Sequence, residues 1–193
     1  MSSELKTNKV SPATGTALQI GDSGDTISIP SGATLTNSGT LSGFGDNTPA
    51  FAATRTTDQS ISDDTVTKVQ MNTEVFDTDS AYDPTTNYRF TVPSGEGGKY
   101  YVYADVTFHS SHSDTDIKSL EVLVKKNGST AINAEHKPQE SYGGQTETIY
   151  CQGILVLSAA DYLEVYGYFD NNQGSSYTNF KSASFGAYKL IGV

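Results

Sequence analysis

The chain has 193 residues with 12 Lys+Arg against 22 Asp+Glu, a formal charge of −10. Length allows one domain of roughly 100–150 residues plus an appendage, or two small domains, and hydrophobic residues are 35% of the total, a low share for a globular chain. A pI near 4.5 with Lys125-Lys126 as the only basic doublet excludes a nucleic-acid binder, and no apolar run approaches the length of a membrane span.

Residues 1–46 offer few large apolar side chains, and their start, Met1-Ser-Ser-Glu-Leu-Lys6, lacks the charged-then-apolar order of a secretory signal. Ile29, Leu35 and Leu41 recur six residues apart, and 26–29 alternates as a strand does. Short extended pieces joined by Gly turns, each with one apolar side chain, predict a thin stalk in which three chains bury one another's apolar residues. A free Ser/Gly/Thr linker is the alternative reading.

From Pro49 the pattern is β throughout, with strands predicted at 50–56, 65–70, 88–92, 99–108, 119–125, 148–157, 162–169 and 182–191. In 99–108, Tyr100, Val102, Ala104, Val106 and Phe108 form one face, and Tyr101, Tyr103, Asp105 and Thr107 the other. In 162–169, Leu163, Val165 and Phe169 face inward, with Tyr162, Glu164, Tyr166 and Tyr168 opposite. In 119–125 the inward set is Leu120, Val122 and Val124. Turn formers such as Tyr82-Asp-Pro84, Asn127-Gly128 and Asp170-Asn-Asn-Gln-Gly174 separate the strands. The expected fold class is all-β, a jelly-roll sandwich. All 12 Tyr lie at or beyond Tyr82; their outward rows suit a subunit interface or ligand platform, the alternative being cross-strand aromatic pairing that stiffens the sheet.

Six elements then carry a resemblance in matching order. They are Pro49-Ala-Phe51; Lys68-Val-Gln-Met-Asn-Thr-Glu-Val-Phe-Asp77 with Tyr82-Asp-Pro84; Phe90-Thr-Val-Pro93 with Gly98-Lys-Tyr100; Leu123-Val-Lys-Lys-Asn-Gly128; Leu155-Val-Leu157 with Asp161-Tyr-Leu-Glu-Val165; and Ser184-Phe185 through Leu190. This part resembles the complement-C1q-like family of the C1q/tumour necrosis factor superfamily. Ala160 and Ala187 depart from it, standing where the family usually has Gly, and the Pro93–Tyr100 turn is longer than usual. The resemblance implies a ten-stranded jelly roll packed as a homotrimer. Some members of that family bind calcium, so calcium is the one cofactor the resemblance admits, through Asp77-Thr-Asp79 with Asp83 or through Asp114-Thr-Asp116.

Ser3-Glu-Leu-Lys-Thr-Asn-Lys-Val-Ser-Pro-Ala-Thr-Gly-Thr16 and Gly24-Asp-Thr-Ile-Ser-Ile-Pro-Ser-Gly-Ala-Thr34 resemble leaders of tail-fibre-like proteins of marine bacteriophages. That resemblance implies a virion protein assembled in the host cytoplasm. Residues 1–20 would bind other virion structural proteins, 21–48 would form the β stalk and 49–193 the head.

Catalytic chemistry is weakly represented. Gly21-Asp-Ser-Gly24 copies a serine-protease motif, but no base or oxyanion hole accompanies it in this thin segment. His109 and His112, in a polar cluster that ends at Asp114, lack a Cys or a third fixed ligand for a metal site, and Cys151 lies in an apolar run. No catalytic, cofactor or metal residue is expected. Receptor contacts to host-surface carbohydrate or protein are expected on distal loops, at Tyr142, Asn171, Asn172 and Tyr177. The function expected is a homotrimeric bacteriophage fibre or spike for host attachment. The alternatives are a decoration or joining protein of the virion, and a soluble bacterial C1q-like binding domain.

Overall fold

In a computed structural model of the chain, the described residues are 9–38, 47–111, 117–137, 146–172 and 178–191. The chain divides into two units, Met1–Phe44 and Gly45–Val193.

In the first unit, residues 9–38 form turns without a strand. One turn is closed by Asp25 N–H donating to the Asp22 carbonyl at 3.0 Å, the other by Ala33 N–H donating to the Pro30 carbonyl at 3.0 Å. Gly21, Gly24 and Gly32 take the positive φ that such turns require. The strand expected at 26–29 is therefore not formed in a single chain, where no neighbouring strand satisfies its backbone. Val10, Leu18, Ile20, Ile27, Ile29 and Leu35 are all exposed. Leu41, in the spaced series, lies outside the described residues.

The second unit is all-β. Its strands are β1 (Ala50–Arg55), β2 (Gln59–Ser60), β3 (Thr67–Lys68), β4 (Thr73–Asp77), β5 (Tyr82–Asp83), β6 (Arg89–Thr91), β7 (Gly98–Ser110), β8 (Ile117–Lys126), β9 (Ser129–His136), β10 (Thr146–Leu157), β11 (Tyr162–Asn171) and β12 (Thr178–Lys189). All eight expected strands are present, although the one at 65–70 contracts to the two residues of β3. β2, β4, β5 and β9 are additional. Sheet A runs β10-β7-β12-β1-β4, with β2 on β12; sheet B runs β5-β6-β11-β8-β9, with β3 on β11. The pairings are antiparallel, and the chain crosses between sheets after β2, β3, β4, β6, β7, β9, β10 and β11, staying in one sheet only from β1 to β2, β5 to β6 and β8 to β9. This two-sheet architecture is consistent with a jelly-roll sandwich.

The core lies between the sheets and follows the period-two pattern. Tyr100, Val102, Ala104, Val106 and Phe108 of β7 are buried, as are Leu120, Val122 and Val124 of β8 and Leu163, Val165 and Phe169 of β11. Phe51 is a hub: its ring stacks on Tyr82 at 5.0 Å and Phe90 at 4.7 Å, and meets Phe185 edge-on at 4.9 Å. Each such buried ring contributes about 2 kcal/mol by removal from water. Phe108 fills the other end against Phe169 and Phe180. There Gly167 is obligatory, because a Cβ would stand 2.6 Å from the enclosed Phe180 ring. Buried Arg55 ties the end of β1 to two loops, donating to the Gln70 and Asp58 carbonyls at 2.9 Å each.

Candidate interaction face

Residues directly opposite each other in a sheet share a face, so the register of sheet A assembles its outer surface row by row. One row runs Ile154, Tyr101, Tyr188 and Ala50; the next runs Gln152, Tyr103, Gly186, Ala52 and Phe76. A third runs Tyr150, Asp105, Ser184 and Thr54. Tyr101 packs on Tyr188 at 5.4 Å and leans toward Tyr103 at 6.4 Å. Tyr103 lies over Gly186, where a Cβ would come within 2.4 Å of the phenol. That glycine leaves the Tyr103 ring room to pack against the β12 backbone.

Much of this surface is apolar and faces water in a single chain. Tyr150 is 71% exposed and Ile154 62%, and Phe76 on the far strand is 49% exposed; at the edge of the face Val156, 69% exposed, pairs with the exposed Lys99. Asp105 is the one carboxylate in the three rows, and Ser184 Oγ donates to it. Tyr101 Oη donates to Gln152 Oε1 at 2.6 Å. Burial, followed by the Asp105 charge, raises the Tyr103 phenol above its ordinary value, so the ring stays neutral.

The outer face of sheet B also carries tyrosines, but its charged groups use them. Lys125 Nζ sits 4.1 Å from the centre of the Tyr166 ring, and Arg89 lies 4.6 Å from that of Tyr162. Tyr168 Oη donates to Asp64, a bond that pushes its pKa up to about 12. Lys68 Nζ donates to Glu164 Oε1 at 2.6 Å, and Tyr166 Oη to Glu164 Oε2 at 3.2 Å. Glu164, expected on the open side, is in fact buried under β3 and its lysine. The outward tyrosines thus divide: those of sheet B are tied down within the chain, and those of sheet A lie among exposed aliphatic residues.

The loop residues expected to touch a receptor fare differently. Tyr142 and Tyr177 lie outside the described residues. Asn171, at the end of β11, is 2% exposed; its N–H and Nδ2 both donate to Asp63 Oδ1 at 3.0 Å. Its side chain is thereby engaged inside the fold, while Asn172 beside it is exposed.

The aspartates considered for calcium act as turn acceptors. Asp77 takes the N–H groups of Asp79 and Tyr82, at 3.1 and 2.7 Å. Asp83 accepts from Thr85, Thr86 and Asn87, whose N–H groups hold its carboxyl well below the usual range. Among the described residues no three His, Cys, Asp or Glu side chains converge as metal ligands; Asp114, Asp116 and His112 lie outside them. His109 Nδ1 is 2.9 Å from Thr146 Oγ1. Cys151 is buried, and burial pushes its thiol up to about 11, which keeps it protonated at neutral pH. The Gly21-Asp-Ser-Gly24 stretch is a turn held by Gln19, whose Nε2 donates to the Gly21 carbonyl and to Asp22 Oδ1.

No protein-family model matches the chain. No curated protein matches it either. Among solved structures it is similar to the globular domain of zebrafish complement 1qA protein, at 15% identity over 74% of this chain and 98% of that one, with a TM-score of 0.49.

Proposed function

We propose that the protein is a non-enzymatic, homotrimeric virion appendage of a bacteriophage, a short fibre or spike that contributes to host attachment. The observation that carries the assembly is the outer face of sheet A, a largely apolar surface whose three central rows hold one carboxylate in a chain of charge −10. Copies of an acidic protein repel over most of their surface, and this face is where they meet with least charge and most apolar area. Three copies give three identical weak contacts to a repetitive cell surface, which raises avidity without new contacts. The leader resemblance supports placement on a virion, with 1–20 bound to other virion proteins. The exposed Ile27, Ile29 and Leu35 support a stalk that pairs only when chains come together.

Solution mass tests the assembly. Wild type is expected as a trimer, and Ile154→Glu, which places a charge mid-face at an exposed position, as a monomer whose sandwich still unfolds in one cooperative transition, at a lower temperature because association no longer stabilises it. A monomeric wild type sinks the reading. Adsorption of the purified trimer to intact host cells tests attachment; assembly without adsorption leaves a decoration or joining protein of the virion.

A further inference from the structure

Outside the sheet A face, β5, β6 and the turn before β5 enclose an open cleft of about 370 Å³. Asp79, Ser80, Asn87 and Arg89 supply its polar rim, and Val92 and Pro93 an apolar wall. Arg89 is fixed by its stack on Tyr162, 4.6 Å from the ring centre, and its guanidinium has no hydrogen bond or ion pair among the described residues. Asp79, which lines the cleft, takes the Thr78 hydroxyl on Oδ2 at 2.5 Å, and its Oδ1 has no donor among the described residues. Arg89 and Asp79 line one cavity yet form no salt bridge. Ser80 and Tyr88, at φ 52° and 49°, hold left-handed conformations unfavourable for their side chains, and they flank Asp79 and Arg89 respectively. Such strain persists only where surrounding structure imposes it, and it clusters at ligand sites.

We propose that this cleft binds a neutral pyranose of a surface glycan. A hydroxyl both donates and accepts, so neighbouring hydroxyls satisfy the Arg89 fork and the Asp79 oxygen together. A carboxylate satisfies Arg89 alone and meets the negative field of Asp79 and Asp83. The carbon face of the ring covers Pro93, with the buried Val92 behind it, and the volume suits one or two sugar units, at the small end of ligand pockets. The inference deepens the attachment reading and rests on it for the source of the sugar, though not for the geometry of the cleft.

The test is amide NMR of the full chain titrated with methyl glycosides of neutral hexoses and N-acetylhexosamines, beside a uronic acid and free glycine. Neutral glycosides are expected to shift amides of residues 79–93. Arg89→Ala and Asp79→Ala are each expected to weaken binding about tenfold, the loss of one charge-assisted hydrogen bond, with the sandwich still folded and unfolding cooperatively. Asp79→Asn, which keeps an acceptor, is expected to retain part of the affinity. No shift across the neutral panel, shifts confined elsewhere, or tighter binding of uronate or glycine overturns the proposal. Cell adsorption that survives Arg89→Ala keeps attachment and rejects the cleft; sugar in the cleft without adsorption keeps the cleft and rejects attachment.

Discussion

Ala160 sits in the turn between β10 and β11 with φ 68°, its N–H donating to the Val92 carbonyl at 2.9 Å. In that left-handed region a Cβ crowds the following carbonyl, at a cost of about 1–2 kcal/mol. Ala160→Gly removes the strain and gives back part of the gain as unfolded-chain entropy, about 0.5–1 kcal/mol. The variant is expected to be more stable by up to about 1 kcal/mol in urea unfolding; a destabilised variant would show that the methyl packs usefully. Next to it, Asp161 is held at a pKa of about 2, first by Lys126 at 2.8 Å, then by the Ser158 N–H and Asn127 Nδ2. Its folded pKa lies below the ordinary 3.8, so its contribution is complete above about pH 4 and is lost as pH falls to about 2. Wild type is therefore expected to exceed Asp161→Asn in stability at neutral pH, and the two curves to converge near pH 2. A gap that persists in acid would assign the effect to packing rather than charge.

The strands differ in how plainly their residues announce them. β7, β8 and β11 alternate large apolar with polar side chains, and both their position and inward faces are readable from sequence. β9 is not, because only Ile132 and Ala134 of its eight residues are more than slightly covered. Its hairpin turn was still legible: Asn127 and Gly128 take φ 51° and 81°, the paired left-handed geometry that Asn-Gly favours. β2, β3 and β5 are two residues each, too short to show a period. The candidate face was half visible. Tyr101 and Tyr103 stood out as an outward row, but Ile154 and Val156 were hidden in an apolar run with no polar partner to mark the outer side. Phe76 and Gly186 join them only through register, which pairs residues distant in sequence. The cleft escaped for the same reason. Its rim comes from a stretch that reads as a Tyr-Asp-Pro turn, and its arginine is made available by a ring 73 positions away in the chain.

At the scale of the molecule, the low apolar share resolves into two unlike surfaces on one sandwich. Sheet B is closed outward by ion pairs such as Lys118–Asp170 and Lys68–Glu164, and sheet A is left open and apolar. This asymmetry makes a prediction about salt. If copies meet through sheet A, their attraction is hydrophobic and hardly screened, whereas the repulsion between heads of like charge is screened over a Debye length of about 10 Å at 0.1 M. Association is therefore expected to tighten from low to near-molar sodium chloride, and further with sulfate, which strengthens apolar burial. An interface built on the ion pairs of sheet B would weaken over the same range. Sedimentation equilibrium across a salt series separates the two, and dissociation at high salt would place the contact on the charged sheet instead.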